Sequence, residues 1–425
     1  ADKILGLRKS LFWGGILMII GSVILAIDPK NFFFIGLGFT IVGTGFFKPN
    51  ISSMVGQLYP DGDPRRDAGF SFFYMGVNLG ALIGGYICIA VAEGSMWQSI
   101  VPEHLRWNVG FGFAAIVMII SLLTFTQTQK SLGPIGRSPL KEMMVSKRKQ
   151  LEIVTYVGSL LVIPLIIVMV ANTHYTDYFM ICIGPVSILY LLYEMKNFTL
   201  AENKKLFAAL IFIIFSIFFW AFFEQSGGSL SLFAVNNLNN TIGGVVLSPN
   251  GVNNSANSVF VIGFAALVGL VWLWLDKRKI EPNTVIKFGL AFLFLAGGFW
   301  VFYYTKFFAD GFGRTSLGIF TFGWFVITLG ELCLSPIGMS AMTKLSPSKT
   351  QAVIMGMWFL ASAYGQYFAG ILGANIAEAS EQSSNIEKLN VYADGYLQLA
   401  IYALIAGVVL IVLSPLVRKL MQEVK

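Results

Sequence analysis

The chain has 425 residues, 56% of them hydrophobic and only 12% charged, with a formal net charge of +7. A soluble domain carries roughly a quarter of its residues as charges, so a soluble globular protein is excluded; so is a β-barrel, because the short alternating segments of barrel strands are missing. The positive balance does not mark a nucleic-acid binder, because the basic residues stand in short clusters between apolar blocks, the pattern that sets orientation in a membrane.

What remains is an all-α integral membrane fold, in which each crossing of a hydrocarbon core of about 30 Å takes roughly 20 apolar residues. The chain opens on a charged, loop-like stretch, Ala1 to Ser10. Twelve spanning blocks then follow, at 10–27, 32–58, 68–92, 107–127, 152–171, 176–193, 205–235, 257–275, 285–305, 317–343, 351–378 and 396–420. A basic Gly/Pro-bearing stretch from Lys130 to Gln150 follows the fourth block, and an uncharged Asn/Gly-rich loop from Asn236 to Asn254 follows the seventh. An acidic loop with Glu378, Glu381, Glu387 and Asp394 precedes the twelfth. With alternating crossings, all but six of the 29 Lys and Arg residues fall on the side of the N-terminus. Lys30, Arg106, Lys306, Arg314 and Lys388 fall on the other side, and Lys48 lies within a block. The positive-inside rule therefore predicts that both ends of this chain are cytoplasmic.

Three ionisable residues sit near the middle of apolar blocks: Lys48, Glu224 and Glu331. Each costs about 2.5–3.5 kcal/mol at the bilayer centre, so each needs a partner, water or a task. A structural ion pair is the plain alternative, but it is weak on energy, since an apolar replacement is often as stable. Lys48 is followed by Pro49 and Asn50, and Glu331 precedes Ser335-Pro336-Ile337-Gly338. Proline removes one helical hydrogen bond, so the sequence predicts two broken helices beside midplane charges, the arrangement of a transporter binding site.

Gly76, Gly80 and Gly84 recur every fourth residue and predict a face for close helix packing. Asn78 lies off that face, free to bond a ligand or a neighbouring helix. Gly36-Leu37-Gly38 lacks the strand–turn–helix setting of a nucleotide loop and reads as packing. Cys88, Cys182 and Cys333 lie inside apolar blocks with neither metal spacing nor a disulfide framework. His104 and His174 fall in outer loops, away from any midplane proton relay, and His174-x-x-Asp177 is too sparse for catalysis. No metal site, cofactor or nucleophile constellation is expected, and the chain is not read as an enzyme. A buried carboxylate that alternates between apolar and lysine-bearing surroundings changes its hold on a proton, which makes the midplane glutamates the candidate proton carriers.

These motifs resemble those of the proton-dependent oligopeptide transporter family of the major facilitator superfamily. The matching segments are Phe47-Lys48-Pro49-Asn50; Asp67-Ala68-Gly69-Phe70-Ser71 running into Phe73-Tyr74-Met75-Gly76-Val77-Asn78-Leu79-Gly80; Phe219-Trp220-Ala221-Phe222-Phe223-Glu224-Gln225; Gly330-Glu331-Leu332-Cys333-Leu334-Ser335-Pro336-Ile337-Gly338; and Met357-Trp358-Phe359-Leu360. They occur in family order along nearly the whole chain. The opening Asp2-Lys3 to Arg8-Lys9 resembles the loop that joins the second and third helices of the superfamily, which implies that two helices precede residue 1; a chain that natively starts with a short basic tail is the alternative.

The resemblance implies two six-helix bundles with two accessory helices between them: an N-terminal bundle in 1–127, a linker with the accessory helices in 128–204, and a C-terminal bundle in 205–425. It implies proton-driven import of di- and tripeptides by alternating access, with protons as the coupling ion and no other cofactor. The short loop from Thr305 to Ser316 fits the bacterial type, in the inner membrane. By this resemblance Lys48 lies near the peptide carboxylate, and Asn78, Asn257 and Glu331 surround its amino end. Trp220 and Trp358 line the side-chain pocket, and Glu224, with Glu331 and Lys48, serves proton coupling. Asn257 comes from matching Asn254-Ser255-Ala256-Asn257-Ser258 to a Gln-Ser-x-Asn-Pro pattern, from which Ser258 departs. The family's Glu-x-x-Glu-Arg motif is absent from these residues. Other substrates within the family, such as nitrate or a plant-type metabolite, stay open, although Glu331 argues against an anion; so does a sensor descended from a transporter.

Overall fold

The computed structural model describes residues 1–60, 62–92, 97, 99–140, 143–242, 245–246, 249–377 and 384–422; Lys141, Glu378, Glu381 and Lys425 lie outside them. Among the described residues the chain forms thirteen α-helices: α1 Leu7–Ile27, α2 Phe33–Gln57, α3 Arg65–Ala92, α4 Arg106–Thr128, α5 Val145–Ala171, α6 Thr173–Glu194, α7 Leu200–Phe223, α8 Ser229–Asn237, α9 Pro249–Lys277, α10 Thr284–Tyr304, α11 Leu317–Leu345, α12 Gln351–Ala377 and α13 Asn385–Met421. Each of the twelve expected blocks matches one helix, except that 205–235 is divided between α7 and α8. Nine of the described helices are long and apolar enough to cross a membrane by length and composition alone. α2, which carries Lys48, Pro49 and Asn50, is not among the nine.

Both expected breaks need correction. α2 runs unbroken through Pro49 and α11 through Pro336. In α2, side chains bond back to the carbonyls around the proline: Asn50 Nδ2 donates to the Phe46 oxygen at 2.6 Å and Ser53 Oγ to the Pro49 oxygen at 2.8 Å. Such local bonding is how a membrane helix tolerates proline. The real interruption lies in the seventh block, where a 3-10 turn, Glu224–Gly227, and Gly228 separate α7 from α8.

The helices group into two compact units. The first comprises Ala1–Asp61, Gly80–Thr199 and Ser346–Met357, the second Gly62–Leu79, Leu200–Leu345 and Trp358–Lys425. In the first unit α1 crosses α2 on glycines. A Cβ on Gly14 would lie 2.6 Å from the Gly43 carbonyl oxygen, and one on Gly21 equally close to that of Gly36. Gly38 admits Ile163 and Ile167 of α5, so the packing reading of Gly36 and Gly38 holds. Lys9–Glu152 at 2.6 Å and Trp13–Ser159 at 2.9 Å tie α1 to α5. Asp2 accepts the backbone N–H groups of Ala352 and Val353 in the first turn of α12, where helix dipoles favour an anion.

The second unit has an aromatic core. Phe219 meets Phe292 at 5.6 Å, Phe212 meets Phe288 at 4.6 Å, and Tyr396 packs on Phe299, Phe302 and Phe233. Stacked, tilted and edge-to-face pairs of this kind add about 0.5–1.5 kcal/mol each beyond their buried area. Of the apolar windows of α10 and α11, 61% is buried inside the protein, against 11% for α5 and 17% for α6. The latter pair is thus left with its apolar surface facing outward, as accessory helices in lipid would be.

Candidate functional site

The site is built around α11. Gly330 lets that helix press onto α10, since a Cβ there would lie 2.6 Å from the Ala291 carbonyl oxygen. The next residue points about 100° further round the helix, so Glu331 leaves the α10 contact and enters the space shared with α3 and α9. It is only 2% exposed. Tyr74 of α3 donates its hydroxyl to Glu331 Oε1, and Asn257 Nδ2 of α9 donates to Oε2 at 2.5 Å. The same amide reaches Thr328 Oγ1 at 3.2 Å, one turn earlier on α11. A buried carboxylate is tolerated only when hydrogen-bonded, and here three helices converge to meet that need.

Glu224 opens the 3-10 turn that interrupts the seventh block, beside the C-terminal end of α7. Interrupted helices of this kind hold coupling ions in secondary transporters, because half-helix C-termini carry partial negative charge. Gln366 of α12 donates to Glu224 Oε1 at 3.2 Å, and Glu224 is near enough to act electrostatically on Glu331. Neighbouring Gln225 is fully buried and knits the turn together, donating to the Ala221 and Ala369 carbonyls and accepting from Ser229. Trp220 is half-buried one turn back, and only a glycine at 365 leaves room for it, since a Cβ there would sit 2.2 Å from Trp220 Cβ.

Other expectations fare differently. Trp358 is 2% exposed; its ring fills the slot left by Gly338 and packs on Phe288 at 6.0 Å. The pocket-lining role expected of it is corrected to packing. Gly76, Gly80 and Gly84 do not form a packed face: a Cβ on any of them would meet nothing within 4 Å. Periodicity revealed a smooth helix face but not what lies opposite it. Asn78 is half-buried, and its amide donates to the Tyr74 carbonyl at 3.1 Å, a bond within its own helix. Lys48 is exposed on α2 in the first unit. His104 and His174 are exposed, and no cluster able to hold a metal occurs among the described residues.

Two features escaped the sequence reading. Tyr74 stood within a quoted motif but carried no role; its one signal was lying one turn before Asn78. The other is a buried ion cluster at one end of the second unit. Asp67 of α3 meets Lys287 of α10 at 2.9 Å, and Lys344 and Ser340 of α11 at 2.5 Å each. Lys287 also meets Glu281 at 2.6 Å and lies 4.8 Å from the centre of the Trp272 ring. The charges balance, two of each sign. The cluster gathers the first turns of α3 and α10 and the last turn of α11.

The sequence profile of the POT family matches residues 8–391. The Peptide transporter YePEPT of Yersinia enterocolitica is 31% identical over an alignment that covers 100% of this chain and 83% of the relative. A Di-/tripeptide transporter of Lactococcus lactis subsp. cremoris is 29% identical, over 100% of this chain and 84% of its own. Among solved structures, a mutant of a peptide transporter POT in complex with alafosfalin superposes with a TM-score of 0.69 at 30% identity, covering 99% of this chain and 82% of that one.

Proposed function

The chain belongs to the POT family of membrane transporters, and from that premise we propose that it imports di- and tripeptides by proton-coupled symport. The observation that carries this reading is the hold on Glu331. A carboxylate buried among helices, with its two oxygens met by a phenol and an amide from two other helices, is a receptor for one cation. The ammonium group of a peptide and a proton both qualify, and because a symporter carries both together, the proton must stand on a second group while the ammonium occupies Glu331. Glu224, on the interrupted helix within electrostatic reach of Glu331, supplies the second protonatable group. Lys48 is assigned to the peptide carboxylate, and Trp220 to the side chain beside it. The protein works in the inner membrane of a bacterium, with both ends of this chain cytoplasmic, and its chemistry is translocation rather than catalysis.

The experiment uses proteoliposomes and chemically blocked peptides. An N-acetylated dipeptide lacks the ammonium, so wild type should bind it poorly. Removing one partner of a buried charge pair costs about 3–5 kcal/mol, far above assay noise. Glu331→Gln should weaken free dipeptides strongly and narrow the gap between free and acetylated forms. Lys48→Ala should narrow the corresponding gap for C-terminally amidated dipeptides. Glu224→Gln should abolish proton-driven uptake while leaving peptide counterflow, which needs no net proton movement. Equal loss of free, acetylated and amidated peptides in both the Glu331 and Lys48 variants would make these residues structural and defeat the assignment.

A further inference from the structure

The Asp67 cluster and the Glu331 site share two helices. Asp67 and Tyr74 are seven residues apart on α3, about two turns and so on one face. Their partners lie on one helix as well, in reverse order: Ser340 and Lys344 for Asp67, Glu331 for Tyr74. α3 is therefore fastened to α11 at two points. We propose that Asp67 is a positioning residue of the Glu331 site, the fastening that fixes the register at which the Tyr74 hydroxyl meets the carboxylate. The inference rests on reading Glu331 as the cation receptor.

The remaining contacts of α3 in this unit bear mainly on α9. Ala68 and Ser71 lie against Gly269, and Tyr74 and Met75 pack against Val261, Ala265 and Leu332, an apolar cluster in which Leu332 is the one member from α11; the directional bonds between α3 and α11 are those of Asp67 and Tyr74. Above Tyr74 the helix is open on its glycine side, since a Cβ on Gly76 would touch nothing. One residue of slip moves a helix by about 1.5 Å and turns it by about 100°, whereas an O–H···O bond holds only within a few tenths of an ångström of roughly 2.7 Å. Buried charges with defined partners specify register in a way that apolar packing does not. Asp67 has three such partners on two helices and is 5% exposed.

The test reads Glu331 directly, by infrared difference spectroscopy on the whole purified chain in lipid, with the carboxyl band identified by its loss in Glu331→Gln. Tyr74→Phe should shift that band, because the phenol bond is gone. Asp67→Asn should shift it in the same direction, and the double variant should shift it no further than Tyr74→Phe alone, the signature of one residue acting through another. In binding assays Asp67→Asn and Tyr74→Phe should each weaken Ala-Ala at least tenfold, again without adding. Because Asp67→Asn alone leaves two buried lysines short of one anion, Asp67→Asn with Lys344→Gln is the charge-balanced control; it keeps the Lys287–Glu281 pair and should show the same band shift. A Glu331 band unmoved in both Asp67 variants, but moved by Tyr74→Phe, would overturn the proposal and leave Asp67 a brace. Failure of the transport reading appears elsewhere, as a wild type that binds no dipeptide at all, and leaves the band test standing.

Discussion

Asp67 and Glu331 are buried to nearly the same degree, 5% and 2% exposed, and both stand between α3 and α11. Asp67 is enclosed by two lysines and a serine, while the donors on Glu331 are a phenol and an amide. The first arrangement is closed, since each charge is matched in place and a visiting cation would have to displace a resident one. The second satisfies the oxygens without neutralising them, so a cation can be added and removed. Burial alone does not separate an anchor from a receptor; the charge of the partners does.

Lys287→Met gives the largest effect expected from that contrast. It strands Asp67 and Glu281 short of a shared cation in a buried cluster, and uncompensated buried charges cost about 3–5 kcal/mol. Thermal unfolding in detergent should show the loss. A variant as stable as wild type would mean that water already reaches the cluster, and the distinction between the two carboxylates would weaken. Tyr74→Phe comes next: it removes one donor and leaves Glu331 Oε1 unsatisfied, at about 1–3 kcal/mol, and should read out in peptide affinity more than in melting temperature. Glu331→Gln is smaller still for stability, within about 1–2 kcal/mol, because an amide still suits neutral neighbours; transport, by contrast, should collapse. If Glu331→Gln unfolds the protein as readily as Lys287→Met, the receptor reading loses its physical basis.

The sequence located the charges better than their company. Lys48, Glu224 and Glu331 stood out because an ionisable residue inside an apolar block is costly wherever it points. Lys287 and Lys344 did not, because at block ends they read as orientation charges, and their partner Asp67 lies 220 and 277 positions away. Tyr74 looked like any membrane aromatic. The break at Glu224 was written in Gly227-Gly228 but masked by the phenylalanines before it, while the prolines that announced breaks were absorbed into continuous helices. Glycine spacing was equally ambiguous: Gly14, Gly21, Gly36 and Gly43 carry a helix crossing, whereas Gly76, Gly80 and Gly84 face open space. Period reports a face; only tertiary structure reports what covers it.

The smallest effect is expected four residues from the anchor, at Asp63, and it isolates what burial adds. Asp63 grips Arg65 with both oxygens, at 3.1 and 2.8 Å, and also accepts the Arg65 backbone N–H at 2.9 Å. On geometry this pair rivals Asp67–Lys344. The Arg65 guanidinium, however, is exposed to water, where salt and high dielectric screen a pair to little net value. The Arg65 side chain, then its backbone N–H, hold the Asp63 carboxyl down from an ordinary 3.8 to about 2. A depressed carboxyl contributes stability that is fully present above its unfolded value and lost as pH falls through the folded one. Any contribution from this pair therefore disappears between about pH 4 and pH 2 and is constant across the range in which transport is assayed. Melting curves of Asp63→Asn and wild type should run parallel, with a small offset, from about pH 8 to pH 5, draw together below about pH 4 and converge only near about pH 2. An offset as large as that of Lys287→Met would show that geometry rather than burial sets the strength of these ion pairs, and the contrast between anchor and receptor would have to be rebuilt on other grounds.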